Sequence, residues 1–318
     1  MQITAVIVTF NRLEKLRKAL ACYDRQTVPF HHVIVVDNHS SDGTADFLKE
    51  WASAPSAFGR QVVTTEENLG GSGGFYRGQV KAMEFNPDWV FLADDDAYPD
   101  DDLVAQFLAF AAEHNVTAMS AVCGMVYYPS GDIECQHRSR YIIERHRLLR
   151  RIFSEEADYQ QPMFRIDFLS YVGSFLNGKA LRKVGLVDPG FFIYHDDTEH
   201  SLRLAKYGPL WCVPAIRIAH DNQATRPQQP SPVLVSWDEY YFTRNEHVML
   251  RKHFPLVALN RLRIALLHRL KGVDNPARNK VRWQAVKDAW IGRMGKHPVY
   301  RPGWQVMQPA SQSQAKDR

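Results

Sequence analysis

Cysteine is scarce in this chain. Four residues in 318 (Cys22, Cys123, Cys135 and Cys212) form no CxxC pair and no metal-like spacing. That excludes a disulfide-stapled scaffold or a zinc ribbon and predicts free or buried thiols in a reducing cytoplasm. Long apolar runs are missing as well: no stretch approaches 18 uncharged apolar residues, which argues against a membrane-spanning helix. The opening MQITAVIVTFNR has no basic segment and no small-residue cleavage site, so it reads as a first strand and not as a signal peptide. Two phosphate-binding fingerprints also fail. In NLGGSGGFYRG (68–78) position 76 is tyrosine, which breaks GxGxxG, and Gly73 to Gly78 is followed by Gln79 and Val80 where a P-loop needs Lys and Ser/Thr.

What is present begins with an asymmetry of charge. Residues 244–301 hold 14 Lys/Arg against 3 Asp/Glu, whereas the remainder of the chain is net negative. A basic region on an acidic body suits a polyanionic surface such as membrane phospholipid or a lipid-linked phosphate. No nucleic-acid recognition motif accompanies the charge, and nucleic acid is not expected as a partner.

The first hundred residues alternate strand and helix. Strands are predicted at 3–10, 31–38, 61–68 and 89–96, with helices after each of the first three, and Asn11 and Glu14 are placed as a capping pair for the first helix. This order implies right-handed crossovers and a mostly parallel sheet, whose ligands lie beyond the carboxyl ends of the strands. Thr9–Asn11, Asp37–Asn38, Asn68–Gly74 and Asp94–Asp96 would then line one edge. Further on, 138–151 (RSRYIIERHRLLRR) reads as an arginine-rich helix or surface excursion, 221–232 as a linker, 234–297 as basic helices and QPASQSQAKDR as a disordered end. The expected division is a catalytic domain over 1–225 and a basic helical region over 226–318.

Six of the nine positions from 94 to 102 are aspartate. Alternation along the strand points Asp94 and Asp96 the same way. Two hard oxygen ligands in a ligand crevice suit Mg²⁺ or Mn²⁺. Asp100–Asp102 precede an apolar-periodic helix and are expected to serve its N-terminus. In HDDTEHSLR (195–203), Asp196 and Glu199 have capping-box spacing, which leaves Asp197 as a candidate general base. His220, at the end of WCVPAIRIAH, reads from the residues alone either as a metal ligand or as an ordinary polar strand terminus. The glycines of 68–78 suggest close approach of backbone to a ligand.

Taken in order, VIVTFNR, VVDNHSSDGT, NLGGSGGFYRG, the acidic DDD, VGLVDPGFFIYHDDTEHSLR, the strand ending at His220 and DEYYFTRN (238–245) resemble family 2 glycosyltransferases of the GT-A fold. The resemblance spans about residues 2–250 and is nearest to the galactofuranosyltransferase branch, with rhamnosyltransferases as neighbours. It implies an α/β GT-A fold with a C-terminal helical extension and an inverting transfer from a nucleotide sugar, most plainly UDP-galactofuranose, with dTDP-rhamnose as the alternative donor. Binding of a nucleotide sugar without turnover is the reading from another class. By this resemblance Thr9, Asn11, Asp37 and Arg77 hold the nucleotide, with Asn68, Gly70, Gly71 and Asp95 in the same donor-binding set. Asp94, Asp96 and His220 ligate Mn²⁺ or Mg²⁺, and Asp197 is the catalytic base. Galactan polymerases of the family are much longer and carry an added N-terminal domain, so a single-linkage enzyme is expected, acting on a glycan or lipid-diphosphate-linked acceptor. Peripheral contact with the cytoplasmic face of the membrane is expected through the basic helices, notably HFPLVALNRLRIALLHRL (253–270).

Overall fold

In the computed structural model of the chain, residues 1–145, 147–222 and 233–307 are described. The chain divides into two units, Met1–Ala224 and Thr225–Arg318. The tail expected over 308–318 and all of the expected linker but residues 221 and 222 lie outside the described residues.

The first unit opens with the predicted alternation: β1 (Ile3–Thr9), α1 (Leu13–Asp24), β2 (His32–Asp37), α2 (Thr44–Ser53), β3 (Gly59–Thr64), α3 (Gly70–Met83) and β4 (Trp89–Asp94). Strands β1, β2 and β4 are buried on both faces because helices cover both, while β3 at the sheet edge is half-buried. Ile3, Ala5 and Ile7 pack with Leu16 and Leu20 of α1 on one side. Val6 and Val8 pack with Phe75 and Ala82 of α3 on the other. Full burial of each such Val, Leu or Phe contributes about 1.5–3 kcal/mol.

The chain continues through β5 (Ala97–Pro99), α4 (Leu103–Glu113), β6 (Ala121–Tyr127), β7 (Arg138–Glu144), β8 (Leu148–Phe153), β9 (Phe164–Ile166), β10 (Phe168–Leu169), β11 (Ser174–Asn177), α5 (Gly178–Val184), α6 (Asp196–Leu204) and β12 (Leu210–His220). The main sheet runs β3-β2-β1-β4-β11-β6-β12-β5, with β9 also on β12. Its first four strands are parallel, as are β6 and β12, while β11, β5 and β9 pair antiparallel. The sheet is therefore mixed, and the parallel order expected from the sequence describes its N-terminal half.

Three local expectations need correction. Residues 138–144 and 148–151 lie in a β-hairpin, β7 on β8, with β10 alongside, where a helix or a surface excursion was expected. Tyr141, Ile142 and Ile143 favour a strand; Arg140 and Arg150 stand exposed on it, while Arg138 is fully buried. Asn11 does not cap α1. The amide of Leu13 donates to Asp42 Oδ2 at 2.9 Å, while Asn11, at φ +52°, accepts from the Ser41 amide at 2.7 Å and joins two loops at the sheet edge. Asp100–Asp102 accept no bond from the first-turn amides of α4 with their side chains. Val104 N donates to Gln26 Oε1 at 3.2 Å, and the three carboxylates go instead to Tyr127 and Arg217, to Arg25, and to Gln106.

The second unit contains β13 (Val233–Ser236), α7 (Asp238–His253), α8 (Pro255–Lys271), α9 (Pro276–Ile291) and β14 (Gln305–Met307), with β13 and β14 antiparallel. The DEYYFTRN segment opens α7, and its polar residues are structural. Arg244 is fully buried and donates to the Gly295 carbonyl at 2.6 Å, and Tyr240 OH donates to Asp288 Oδ2 at 2.8 Å.

The glycines of α3 are explained largely by packing. A Cβ on Gly78 would stand 2.2 Å from Val6 Cγ1, and one on Gly74 would stand 2.5 Å from Val8 Cγ1. Gly70 has φ +72°, and its Cβ would lie 2.1 Å from the Phe192 carbonyl oxygen. Gly71 faces open space. Gly78→Ala is therefore expected to cost about 1–3 kcal/mol by overpacking, and Gly70→Ala more, since backbone cannot yield as a side chain can. Gly71→Ala should leave stability unchanged or slightly raised. Urea unfolding of the three variants checks the ranking, and a Gly71→Ala variant less stable than Gly78→Ala would contradict it.

Candidate active site

Strand register brings the acidic and polar residues of the sequence to one edge. Thr9 pairs with Asp37 across β1 and β2, and Val8 pairs with Asp94 across β1 and β4. The strand ends at Asp94, and Asp95 and Asp96 form the turn into β5, so alternation no longer separates their side chains. Arg12 Nη1 bridges them, 3.3 Å from Asp95 Oδ1 and 2.7 Å from Asp96 Oδ2. Asp95 also accepts from Thr9 Oγ1 at 2.7 Å, so two residues assigned to the nucleotide are bonded to each other. Lys15 Nζ adds a second cation 3.4 Å from Asp96.

His220 reaches this cluster through the sheet. The antiparallel pairing of β5 with β12 sets His220 opposite Ala97, one residue beyond Asp96. Its Nε2 lies 3.5 Å from Asp96 Oδ1, and its Nδ1 lies 2.8 Å from Glu134 Oε2. Burial would pull the imidazole pKa down, but the hydrogen bonds to Asp96 and Glu134 outweigh it and hold it at about 9. Asp96 is correspondingly held below the ordinary carboxylate range despite its burial, by His220, Arg12 and Lys15. Asp94 goes the other way: burial first, then the charge of Asp96, push it up to about 7. Burial also carries Asp95 to about 6 against Arg12 and Thr9. His220 thus meets Asp96 directly, and Asp94, which cannot comfortably ionise, lies in the field of both. Hard oxygens with a nitrogen donor are a fitting set for Mg²⁺ or Mn²⁺.

Around this centre, Asp37 Oδ1 accepts from the Ser40 amide at 2.9 Å. Asn38, placed on this edge by the sequence, is a hub of hydrogen bonds. Its Oδ1 accepts from Leu69 N at 3.0 Å and Thr65 Oγ1 at 3.2 Å, and its Nδ2 donates to Gly70 O at 3.0 Å and Asn68 Oδ1 at 3.2 Å. Asn68 Oδ1 in turn accepts from Gly70 N at 2.8 Å, which anchors the start of α3. Arg77 stands exposed two turns into that helix.

The second acidic pair sits at the start of α6. Phe192, Tyr194 and His195 all have φ between 63° and 67°. Such left-handed positions cost about 1–3 kcal/mol each in residues with side chains, and clusters of them mark functional sites. His195 is the N-cap, so Asp196 and Glu199 are not a capping box; Glu199 instead pairs with Arg203 at 2.8 Å. Asp197 Oδ1 accepts from Thr198 Oγ1 at 3.0 Å and from the Thr198 amide. Burial raises the Asp197 pKa against the opposing charge of Arg151 on β8. Burial, then Asp197, carries Asp196 well above the carboxylate range, and the charge of Asp94 contributes too, so the two acidic groups share one field. Arg12, Lys15, Glu134, His137 and Arg151 therefore belong to this surround, although the sequence reading did not name them. For Arg12 and Lys15 the available signal was two cations one helical turn apart just after β1.

The chain matches the model of glycosyl transferase family 2 over residues 4–184, more than half its length. It is 31% identical over 207 residues to the galactofuranosyltransferase GlfT1 of Mycobacterium tuberculosis, covering 64% of each chain. It is 30% identical over 213 residues to GlfT1 of Mycolicibacterium smegmatis, covering 65% of this chain and 66% of that one. The match thus spans slightly under two thirds of the length of these relatives. Among solved structures it is similar to S. aureus TarS 1–349 in complex with UDP-GlcNAc (TM-score 0.54, 14% identity, 92% of this chain and 82% of that one). It is also similar to the Pyrobaculum calidifontis mannosyltransferase PcManGT with GDP-Man and Mn²⁺ (TM-score 0.53, 15% identity, 93% and 76%). These structures share the GT-A fold expected from the sequence, and with the family match over β1 to α5 the chain belongs to glycosyl transferase family 2.

Proposed function

We propose that the chain is a metal-dependent, inverting galactofuranosyltransferase that moves galactofuranose from UDP-galactofuranose to a hydroxyl of a glycan or lipid-linked glycan. The observation that carries this reading is the approach of His220 to Asp96 at the sheet edge, in an acidic field that Asp94 shares with Asp196. The similarity to galactofuranosyltransferases supports the choice of donor. Asp94, Asp96 and His220 would hold the cation, which when bound neutralises charge on the departing diphosphate. Thr9, Asn11, Asp37, Asn68, Gly70, Gly71, Arg77 and Asp95 form the donor-binding set, of which Gly71 has the open space for close approach of a ligand. Thr9 and Asp95 contribute by bracing each other. Asp197 accepts the proton of the acceptor hydroxyl while that oxygen bonds to the anomeric carbon. The bond from that carbon to the diphosphate breaks and UDP leaves. A single displacement of this kind inverts the anomeric configuration.

The second unit supports a membrane-bound acceptor. Helix α8 buries only Val257 and Ala258, and it exposes Leu256, Leu259, Leu266, Leu267 and Leu270 among Arg261, Arg263 and Arg269. No helix among the described residues is long and apolar enough to cross a membrane. Leucines interleaved with arginines suit the interface of an anionic bilayer. Vesicles of phosphatidylglycerol and phosphatidylcholine should co-sediment the protein, and Leu266→Glu/Leu270→Glu should release it. Equal binding of both proteins would contradict this role for α8.

Turnover is tested in one assay with UDP-galactofuranose and dTDP-rhamnose as donors. Transfer should occur with the UDP sugar, cease in EDTA and return with Mn²⁺ or Mg²⁺; full activity in chelator would contradict the metal. Asp197→Asn should lower kcat by roughly 10²–10⁴-fold, the usual contribution of a general base, with UDP affinity unchanged. Because Asp197 must lose its proton to act and its pKa is raised, the wild-type rate should climb with pH along a limb lying above the ordinary carboxylate value of about 4. A rate already at its plateau near pH 4 would contradict that assignment.

A further inference from the structure

We propose that Glu134 is a positioning residue, which fixes the tautomer and orientation of His220. This rests on Asp94, Asp96 and His220 being the cation site. His220 Nδ1 lies 2.8 Å from Glu134 Oε2, and a carboxylate at that distance accepts the Nδ1 hydrogen. Nε2, which faces Asp96 at 3.5 Å, is then the nitrogen that presents a lone pair once a cation displaces its proton. A ring turned over, or protonated on Nε2 alone, would present a hydrogen to the cation position. Outer carboxylates of this kind set the tautomer of metal-ligating histidines and raise their basicity.

Glu134 is itself held from several sides. Asn222 Nδ2 donates to Oε1 at 2.8 Å, and Tyr128 OH donates to the same oxygen at 3.0 Å. His137 Nε2 stands 3.1 Å from Oε2, and its Nδ1 meets Ser170 Oγ at 2.7 Å. The Glu134 backbone amide donates to Val126 O at 2.8 Å. Strands β6 and β12 run parallel as neighbours, so the turn after β6 delivers Glu134 to the edge where β12 delivers His220. The side chain is 7% exposed, too enclosed for water to take over its role.

The same geometry admits a rival. Glu134, His137 and His220 offer three ligand atoms within 4.8 Å of one another, enough to hold a divalent ion. An ion there would occupy the Nδ1 lone pair and leave Nε2 carrying hydrogen toward Asp96. The two arrangements therefore exclude each other, and the 2.8 Å hydrogen-bond distance between Nδ1 and Glu134 Oε2 favours the positioning role.

The test compares UDP affinity with Mn²⁺ and in EDTA by calorimetry; the ratio isolates the contribution of the metal. In wild-type protein Mn²⁺ should tighten UDP binding, and His220→Ala should remove most of that gain. Glu134→Ala should cut the ratio by about 10–100-fold, the usual cost of losing such a partner. Glu134→Gln, which keeps an acceptor oxygen, should lose less. Binding in EDTA should be the same in wild type and both Glu134 variants. A ratio unchanged in His220→Ala would refute the cation site itself. A drop in His220→Ala with none in Glu134→Ala would refute the positioning role alone. Weaker binding in EDTA for both Glu134 variants would mean that Glu134 only supports the fold. Equilibrium dialysis with Zn²⁺ that finds an ion lost in His137→Ala would place a metal on the triad and overturn the proposal.

Discussion

Three carboxylates side by side at the end of β4, Asp95 and Asp96 buried and Asp94 half-buried, constrain the rest of the first unit. Repulsion among Asp94, Asp95 and Asp96 must be met by positive charge, and three separate elements bring it: Arg12 ahead of α1, Lys15 on α1 and His220 at the end of β12. Each depends on the sheet. Parallel pairing of β1 with β4 sets Arg12 beside the acidic turn, and antiparallel pairing of β5 with β12 returns the chain to it. Even so, burial and then the charge of Asp96 push Asp94 up to about 7. A divalent ion would offset both costs, which is the physical case for one.

The acidic start of α6 is tied to the donor side by packing. The Phe192 carbonyl fills the space that Gly70 leaves and accepts from Ser72 N at 3.1 Å. Ser72 Oγ donates to the Asp188 carbonyl at 2.7 Å. The run of left-handed residues before Asp196 is thus clamped to the N-terminus of α3, and α3 is clamped to β2 through Asn38. The glycines that looked like a ligand cradle serve this close approach, with Gly71 the exception.

The N-terminal half of the fold was legible because its central strands are short β-branched runs buried on both faces, punctuated by turns. The placement of Asp94, Asp197 and His220 at strand and helix ends was legible too, while their roles are those proposed above, with the resemblance deciding between two readings for His220. What stayed hidden depends on contacts distant in sequence. Asp42 caps α1 from another loop, Gln26 caps α4, and Glu134 reaches His220 across 86 positions. The hairpin of β7 and β8 was misread because arginines at mixed spacing mask the period-2 pattern. Asp95 and Asp96 both reach Arg12 because the strand ends two residues earlier than alternation assumed.

The central claim, that the β4 carboxylates form a cation site, is most directly tested by thermal unfolding of wild type and Asp94→Asn at pH 8, with and without Mn²⁺. A carboxylate whose folded pKa is raised above its unfolded value of 3.8 costs stability progressively as pH climbs from about 4 to about 7, and the cost persists above that. The account therefore predicts that Asp94→Asn melts higher than wild type without metal, by roughly 2–4 °C for each kcal/mol relieved, and that Mn²⁺ stabilises wild type but far less the variant. A variant that melts lower without metal, or that responds to Mn²⁺ as wild type does, would contradict it.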